Sequence, residues 1–208
     1  VSGGYDNAAT GYAAAIGGGS LNSAEGPHAA ISGGRDNTAL GNFSAIAGGE
    51  HNTVSGAYSV ALGGQFNSAS GSFSFAAGRR AQANYPGCFV WADDSTEDLA
   101  SPTGQTFLAR ASNGFFLYTN STATMGVELG PNDGSWSSLS DRSAKTAVEP
   151  VDPVAALEKV AAMPVSTFVY KDGDPDSRHI GVMAQDFHAA FDVGSDDLRI
   201  STQDADGV

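Results

Sequence analysis

Five consecutive copies of a fifteen-residue repeat open this 208-residue chain and limit the folds that it can adopt. Every copy starts with an apolar residue and carries a Gly-Gly pair at its third and fourth positions; the copies begin at Val1, Ile16, Ile31, Ile46 and Ala61. On the same period, asparagine recurs at positions 7, 22, 37, 52 and 67, and glycine at 11, 26, 41, 56 and 71. A degraded sixth copy starts at Ala76 and ends at Tyr85–Gly87. Repeats this regular form arrays in which each unit buries its apolar face only against its neighbours.

The period predicts one coil of a β-solenoid per repeat. A helix pair or a strand–helix unit needs about thirty residues or more, whereas two strands of about four or five residues and two turns fit the repeat. Segments such as Phe43–Ala47 and Tyr58–Leu62 alternate as strands do. The Gly-Gly pair supplies positive φ at one corner, and asparagine suits the other corner because it tolerates the left-handed region. Stacked coils rise by about 4.8 Å, so we expect the asparagine side chains to line up and bond to one another.

A single solenoid of this composition has a small core. We expect it to contain Ala, Val, Ile and Leu with one aromatic ring per coil, at Phe43, Tyr58 and Phe73. Small cores bury little apolar surface and are marginally stable. Side-by-side association of several rods would supply the missing burial, so the repeat predicts an obligate oligomer.

The Gly-Gly pairs, the Asn-x-Ala-x-Gly segments and the (Phe/Tyr)-Ser-Ala segments resemble the head repeats of YadA-type trimeric autotransporter adhesins and of related phage and bacterial surface fibres. The resemblance covers residues 1 to about 80. It implies a left-handed parallel β-roll in which three chains pack around one axis. The usual repeat of that family is close to fourteen residues, one fewer than here.

The charge of the chain excludes two classes of partner. The formal net charge is -13, and residues 1–90 contain no lysine. Nucleic acid needs Lys and Arg to neutralise its phosphates, and anionic membrane surfaces attract the same basic residues. We therefore expect no nucleic-acid partner and no membrane insertion within this chain. We also expect no cofactor and no bound metal.

The cysteine count and the absence of targeting segments bear on location. Cys88 is the single cysteine, so no internal disulfide is possible, and its neighbours Phe89, Val90 and Trp91 predict a buried small residue. No signal peptide and no apolar run of about 20 residues is present. Because the chain starts inside the repeat array, at Val1, we expect a fragment of a longer protein whose address and anchor lie elsewhere. The composition suits an extracellular place, on a cell surface or in a virion fibre.

Ordinary β patterns replace the repeat from about Cys88, and residues 88–136 are predicted to form a β-rich neck or connector. Phe89–Ala92, Thr106–Arg110 and Gly114–Thr119 are typical of strands, and Ser112–Gly114 is typical of a tight hairpin turn between the last two. The pairs Asp93-Asp94 and Glu97-Asp98 allow two interpretations. They are solvated loop acids, or they bind a cation.

Three motifs follow in order within residues 137–208: Ser140-Asp-x-x-x-Lys145, the Leu157-Glu-Lys segment, and His179-Ile-Gly-x-x-Ala-Gln185. Together they resemble the self-cleaving intramolecular chaperone domain found at the ends of phage tailspikes and fibres, of which the endosialidase tailspike is best known. The resemblance implies a domain that aligns three chains and then cuts itself free. At Gln203–Val208 members of that family enter a long terminal helix, so we expect a domain truncated before this helix.

Local patterns in this segment predict a small α+β unit. Asp152 is a helix N-cap followed by Pro153 at the first helical position. Val154, Leu157 and Val160 share one helix face, and Pro164 ends the helix. A strand over residues 165–170, a turn at Asp172-Gly173, an apolar stretch over residues 180–183 and a second helix over residues 184–191 follow.

The family resemblance implies the roles of three residues. It assigns Ser140 as a nucleophile, Lys145 as its base, and Asp141 as a neighbour of the cut. A serine hydroxyl needs a base, and a lysine can serve if burial lowers its pKa. The reaction is a single-turnover cleavage of the chain's own backbone next to Ser140, on a side that the sequence does not indicate, with no external substrate. Because the two residues lie five apart, they must meet across a turn or between chains.

Two further features of this segment admit alternative interpretations. His179 is a structural hydrogen-bonding residue, or it is a ligand or an acid–base group. The alternating carboxylates of Asp172–Asp176 form an acidic turn, or they begin a calcium loop whose later Gly and Glu are missing.

The sequence as a whole predicts a mainly β protein with a trimeric parallel β-roll head over residues 1–87, the neck, and the chaperone domain. Its partners would be two identical chains and a host-cell or surface receptor. The function would be that of an adhesive surface or tail fibre whose terminal domain directs trimerisation. Two alternatives stay open: the tail end of a phage tailspike hydrolase that acts on surface glycans, and a non-cleaving structural cap.

Overall fold

A computed structural model describes residues 1–194 and 196–205, without the side chain of Gln203. The fold is mainly β, as predicted. The chain divides into two compact units, one of Val1–Phe116 with Leu129–Ser135 and the other of Leu117–Glu128 with Trp136–Val208. The last residues of the predicted truncation point, 206–208, lie outside the described part of the chain.

The first unit contains a β-solenoid of two seven-stranded sheets, here called sheet I and sheet II. Even-numbered strands form sheet I and odd-numbered strands form sheet II. The strands are β1 (Ala8–Ala9), β2 (Ala15–Ile16), β3 (Ser23–Ala24), β4 (Ala30–Ile31), β5 (Thr38–Ala39), β6 (Ala45–Ile46), β7 (Thr53–Val54), β8 (Val60–Gln65), β9 (Ser68–Ala69), β10 (Phe75–Arg79), β11 (Ala81–Ala83), β12 (Phe89–Ala92), β13 (Leu99–Ala100) and β14 (Phe107–Arg110).

Each strand pairs in parallel with the equivalent strand of the next coil. Ile16 lies opposite Ile31, and Ile31 lies opposite Ile46, so the fifteen-residue period is one turn of the solenoid. The predicted length of four or five residues is wrong for β1 to β7, which have two residues each. The coil over residues 31–45 turns at three left-handed residues, Gly34, Asp36 and Phe43, and the straight segments between these corners are short.

The parallel ladders continue beyond the end of the repeat. Phe75 lies opposite Phe89 after fourteen residues, and Phe89 lies opposite Phe107 after eighteen, so coil length changes while the pairing persists. The larger step accommodates the loop that precedes Gly104. Residues up to Arg110 therefore belong to the solenoid ladders, although the repeat pattern in the sequence fades near Cys88.

The core of the solenoid is narrow and almost entirely aliphatic. Its largest apolar members are Ile16, Ile31, Ile46, Val54 and Val90, with alanines filling the remaining inward positions. Cys88 is also buried, as predicted.

The predicted core positions of the repeat aromatics are wrong. Phe43, Tyr58 and Phe73 are 46%, 51% and 68% exposed. All three take left-handed backbone conformations at a corner, and their rings stack in a row with centroids 5.2 Å apart. The narrow interior has room for little more than the small residues next to the rings, Ser44, Ser59 and Ser74. The rings therefore lie outside, where they cover one another.

The five repeat asparagines form a hydrogen-bonded ladder, as predicted, and four of them are buried: Asn22, Asn37, Asn52 and Asn67. Asn37 Nδ2 lies 3.0 Å from Asn22 Oδ1 and 2.9 Å from the Gly49 carbonyl, and Asn37 Oδ1 accepts from Asn52 N at 3.1 Å. The predicted left-handed backbone at these asparagines is wrong, because the residue before each of them, such as Asp36, takes it instead. An inward amide satisfies buried carbonyls that no water can reach.

Gly34 shows why one corner needs glycine. Its φ is +100°, and a Cβ there would lie 2.2 Å from the Gly49 carbonyl oxygen of the next coil. Any side chain at this point would separate the coils.

A largely shielded carboxylate, that of Asp93, forms hydrogen bonds within the last coil of the solenoid. The side chain of Asp93 is 13% exposed, so the prediction of a solvated loop acid is wrong for this residue. Its oxygens accept from the Ser112 hydroxyl, from Ser112 N at 2.8 Å and from Arg110 Nε at 2.8 Å. Hydrogen bonds from the Ser112 hydroxyl and then from the Arg110 guanidinium hold the pKa of Asp93 well below its usual range.

We expect Asp93→Asn to lower the free energy of unfolding by about 1–3 kcal/mol at neutral pH, because a charged acceptor is lost from a shielded network. The folded-state pKa is depressed, so this contribution is complete above the unfolded pKa of about 3.9 and is lost progressively as the pH falls from there through the folded-state pKa. The difference between the denaturation midpoints should therefore be largest at about pH 7 and should narrow steadily below about pH 4. Asp94→Asn, at an exposed neighbour, is the control. A difference that does not depend on pH would contradict the assignment.

The predicted hairpin at Ser112–Gly114 is wrong, although the turn exists. Gly114 N donates to the Ala111 carbonyl at 2.9 Å. The strand before the turn, β14, pairs in parallel with β12 in sheet I, and Asp93 holds Ser112 beside it. The strand after the turn joins a different, three-stranded sheet, whose order is β15 (Phe115–Tyr118), β16 (Gly126–Leu129) and β17 (Ser137–Ser138).

The carboxy-terminal elements agree with the predicted α+β unit. They are a short 3-10 turn (Arg142–Ala144), α1 (Pro153–Ala162), β18 (Ser166–Phe168), β19 (His179–Gly181), α2 (Ala184–Phe191) and α3 (Thr202–Ala205). Asp152 caps α1 by accepting from Val154 N at 2.9 Å. β18 and β19 form an antiparallel pair, and the rings of Phe187 and Phe191 on α2 lie 5.1 Å apart. No helix in the described part of the chain is long and apolar enough to cross a membrane.

The apolar residues of this segment are largely uncovered in the single chain. Val154 and Leu157 on α1, Val165 before β18 and Ile180 on β19 are all exposed. Among the described residues after 136, Phe187 is the one buried apolar side chain. This segment consequently lacks a core of ordinary size when it is alone.

Candidate functional site

Ser140 and Lys145 lie together in one chain. Lys145 Nζ is 2.7 Å from Ser140 Oγ. The 3-10 turn over Arg142–Ala144 lies between them and reverses the backbone, so that a spacing of five residues brings both side chains to one point. Of the two arrangements expected from the sequence, across a turn or between chains, the structure has the first.

Asp141 holds this turn in place. Its carboxylate accepts from Ser143 N at 2.8 Å and caps the 3-10 turn. The hydrogen bonds from the Ser143 backbone and then from its hydroxyl lower the pKa of Asp141. The carboxylate is therefore engaged with the turn, and its contribution to the site is to position the backbone between Ser140 and Lys145.

The site is open to water in the single chain, since residues 131–152 are all exposed. A lysine that accepts the proton of a serine hydroxyl must be neutral, and removal from water favours the neutral form of a lysine. The distance between Ser140 and Lys145 thus meets the requirement for nucleophile and base, whereas the shielding that such chemistry requires must come from elsewhere.

An open cleft of about 480 Å³ lies beside the serine. Ser140 and Leu139 line it together with Tyr118, Val127 and Glu128. Because Leu139 and Ser140 are part of its wall, the backbone on the amino-terminal side of Ser140 borders the cleft.

The other candidate residues do not join this site. His179 lies on β19, where its ring packs against Phe168 and Tyr170 at centroid distances of 5.5 and 5.2 Å. Asp174 Oδ1 accepts from Asp176 N at 3.0 Å within the acidic turn. Asp98 pairs with Arg80. In the part of the chain that the structure describes, no group of three or more His, Cys, Asp or Glu residues could hold a metal ion.

Sequence reasoning missed Ser143 and the far wall of the cleft. Ser143 donates to Asp141 from its backbone, a role open to almost any residue, so the sequence carried no signal for it. Tyr118 and Glu128 precede Ser140 by more than ten residues. Glu128 reaches the cleft through the pairing of β16 with β17, and Tyr118 reaches it from β15 in the same sheet. A search for partners of Ser140 in the strand opposite β17 would have found Glu128.

Comparison with known proteins identifies this segment. Residues 140–193 match the model of a family described as the chaperone of endosialidase. The match starts at Ser140 and includes Lys145, α1, β18, β19 and α2, and it covers about a quarter of the chain. A chaperone of this family implies trimeric assembly. None of the curated proteins and none of the solved structures compared with the chain matches it.

Proposed function

We propose that this chain is part of a homotrimeric surface or tail fibre, in which a β-solenoid rod is assembled by a carboxy-terminal intramolecular chaperone. The match of residues 140–193 to the endosialidase chaperone family carries the proposal. The modules would be the repeat head over residues 1–87, a connector over residues 88–136 and the chaperone over residues 137–208. A rod of parallel coils presents many non-local pairings, which form slowly and are prone to wrong registration. A domain that trimerises first aligns the rods before their coils form.

The uncovered apolar surface of the terminal segment supports this role. Val154, Leu157, Val165 and Ile180 would be expensive to leave in water in a functional monomer. Contact with the same segment of two other chains covers them without any further partner. The head would then stand outside the cell or the virion, as in YadA-type adhesins, and would contact a host-cell or surface receptor.

We expect the intact chain to elute as a trimer, measured by light scattering coupled to gel filtration. Leu157→Glu places a charge on the exposed apolar face of α1 and should abolish trimer formation in refolded or newly expressed protein. Lys171→Glu, in an exposed turn, should leave the trimer intact. A wild-type protein that is folded and monomeric would refute the proposed function.

We further propose that the terminal segment cuts the chain once, next to Ser140, after assembly. Ser140 acts as the nucleophile and Lys145 as its base, with Asp141 holding the turn between them. The 2.7 Å contact supports these roles, and trimerisation would supply the cover from water that the single chain lacks.

A further inference from the structure

The outward positions that flank the buried row of sheet I carry no charged residue. The charged residues of its strands, Arg79 and Arg110, lie at strand ends, where they donate to the Asp94 carbonyl and to the Asp93 carboxylate. Side chains alternate across this sheet, so that Ile31 is buried while its neighbour Ala30 is exposed. The outward positions before the buried row are Ala15, Ala30, Ala45, Val60, Phe75, Phe89 and Phe107. Those after it are Gly17, Ser32, Ala47, Leu62, Ala77, Trp91 and Ala109.

Sheet II differs from sheet I at the equivalent outward positions. Its five middle strands present polar side chains to the outside, namely Ser23, Thr38, Thr53, Ser68 and Gln82. Glu25, two residues beyond Ser23, adds a charge to this side of the solenoid. Leu40 is an exposed apolar exception on this side, and Ser32 is a polar exception on the other. The outside of sheet II is thus mainly polar and that of sheet I mainly apolar.

The apolar side chains on the outer surface of sheet I become larger along the rod. The first three coils present alanine, and the fourth presents Val60 and Leu62. In the last three coils the rings of Phe75, Phe89 and Phe107 stack face to face, with centroids 4.3 and 4.8 Å apart. Leu62 and Phe107 are 58% and 74% exposed. A contiguous apolar row with exposed aromatics marks an interaction surface.

We infer that the outer surface of sheet I is the contact between copies of this chain, with equivalent coils of three rods meeting at one level and the rings of Phe75, Phe89 and Phe107 anchoring the contact. The inference rests on the proposed trimer and names its interface. A partner for this surface must offer an uncharged side chain once per coil, in a straight row with the same rise of about 4.8 Å. A parallel copy of the same rod meets that requirement at every coil. Cyclic symmetry then places identical residues next to one another.

The row of stacked rings at Phe43, Tyr58 and Phe73 does not compete with sheet I as the contact surface. That row lies at a corner of the coil and continues through the polar side chains of His28 and Tyr12. At the outward positions named above, the last four coils of sheet I carry only aliphatic and aromatic side chains.

Cysteine cross-linking of the full chain tests the inference. Ala47→Cys places a thiol on the outer surface of sheet I, and Thr53→Cys places one on sheet II in the same coil; both positions are outward-facing, and native Cys88 is buried. With a short bis-maleimide, Ala47→Cys should give a covalent dimer band on a denaturing gel, since two of three chains are joined at the axis. Thr53→Cys should stay monomeric on the gel. A trimer in solution that cross-links at position 53, or equally at both positions, would overturn the inferred interface and leave the trimer itself standing.

A second variant pair tests the aromatic anchor. Phe89→Glu should reduce the trimer fraction at least tenfold at a concentration where the wild type is trimeric. Phe73→Glu, on the row of stacked corner rings, should leave that fraction unchanged. Trimers of full yield from Phe89→Glu would overturn the role of the anchor. If the wild-type chain itself is monomeric, the proposed function fails together with the interface.

Discussion

Replacing Asn37 with alanine is expected to lower the free energy of unfolding by about 2–4 kcal/mol. The main cause is Asn52 N, a buried donor whose acceptor is Asn37 Oδ1, and an orphaned buried donor costs about 1–3 kcal/mol. Two other former partners of the Asn37 side chain keep a hydrogen bond in the variant. Asn22 Oδ1 still accepts from Asn37 N, and the Gly49 carbonyl still accepts from Arg35 N. The lost side-chain volume adds a cavity term. Denaturant midpoints at equal protein concentration measure the loss, since the stability of an oligomer depends on concentration.

Asn42→Ala is the matched control, because Asn42 belongs to the same coil and is exposed. It should change stability by less than about 0.5 kcal/mol. Asn37→Asp keeps the shape of the side chain and replaces its amide donor with an acceptor. A carboxylate oxygen would then face the carbonyls of Gly33 and Gly49. We expect it to destabilise at least as much as alanine at neutral pH. Equal midpoints for Asn37→Ala and Asn42→Ala would show that the ladder contributes little.

The solenoid could be predicted from the sequence because the residue pattern that specifies each coil is local and recurs in every repeat. Ile31 and Asn37 recur at a fixed spacing, and their equivalents lie inside the coil at every turn. Phe43 was misplaced because hydrophobicity favours burial, whereas its left-handed corner and the small interior direct the ring outward. The backbone geometry of a corner depends on the coils above and below it. A hydrophobicity pattern that assigns each residue separately cannot predict this geometry.

The contact between Ser140 and Lys145 could be predicted from the sequence, whereas the exposure of the two side chains could not. Ser140 and Lys145 were identified from a motif, and their contact across a turn follows from the capping by Asp141. Their exposure depends on which surfaces meet in an assembly. The same holds for Asp93, whose burial is produced by Arg110 and Ser112 nearly twenty residues later in the chain.

Ser140→Ala should abolish self-cleavage of the assembled protein. In the proposed reaction Ser140 Oγ would attack a backbone carbonyl carbon next to it, and Lys145 would take the hydroxyl proton and pass it to the leaving nitrogen as the C–N bond breaks. Water would then hydrolyse the ester on Oγ, so that the two fragments together would weigh one water more than the intact chain. Mass spectrometry of the denatured wild type should show this pair, and the fragment masses identify the broken bond. The variant should show the intact mass alone.

Lys145 is tested separately from the serine. Lys145→Met removes the base and should stop cleavage while the trimer still forms; Lys145→Arg should also stop it, because a guanidinium stays protonated and accepts no proton. Ser138→Ala, at an exposed serine two residues earlier, should cleave as the wild type does. Leu157→Glu, which blocks assembly in the proposed function, should leave the chain uncut although Ser140 and Lys145 are both present, because the proposal assigns the shielding of Lys145 from bulk water to the trimer. Trimeric wild-type protein that keeps its intact mass would show instead that the terminal segment is a structural cap without peptidase activity.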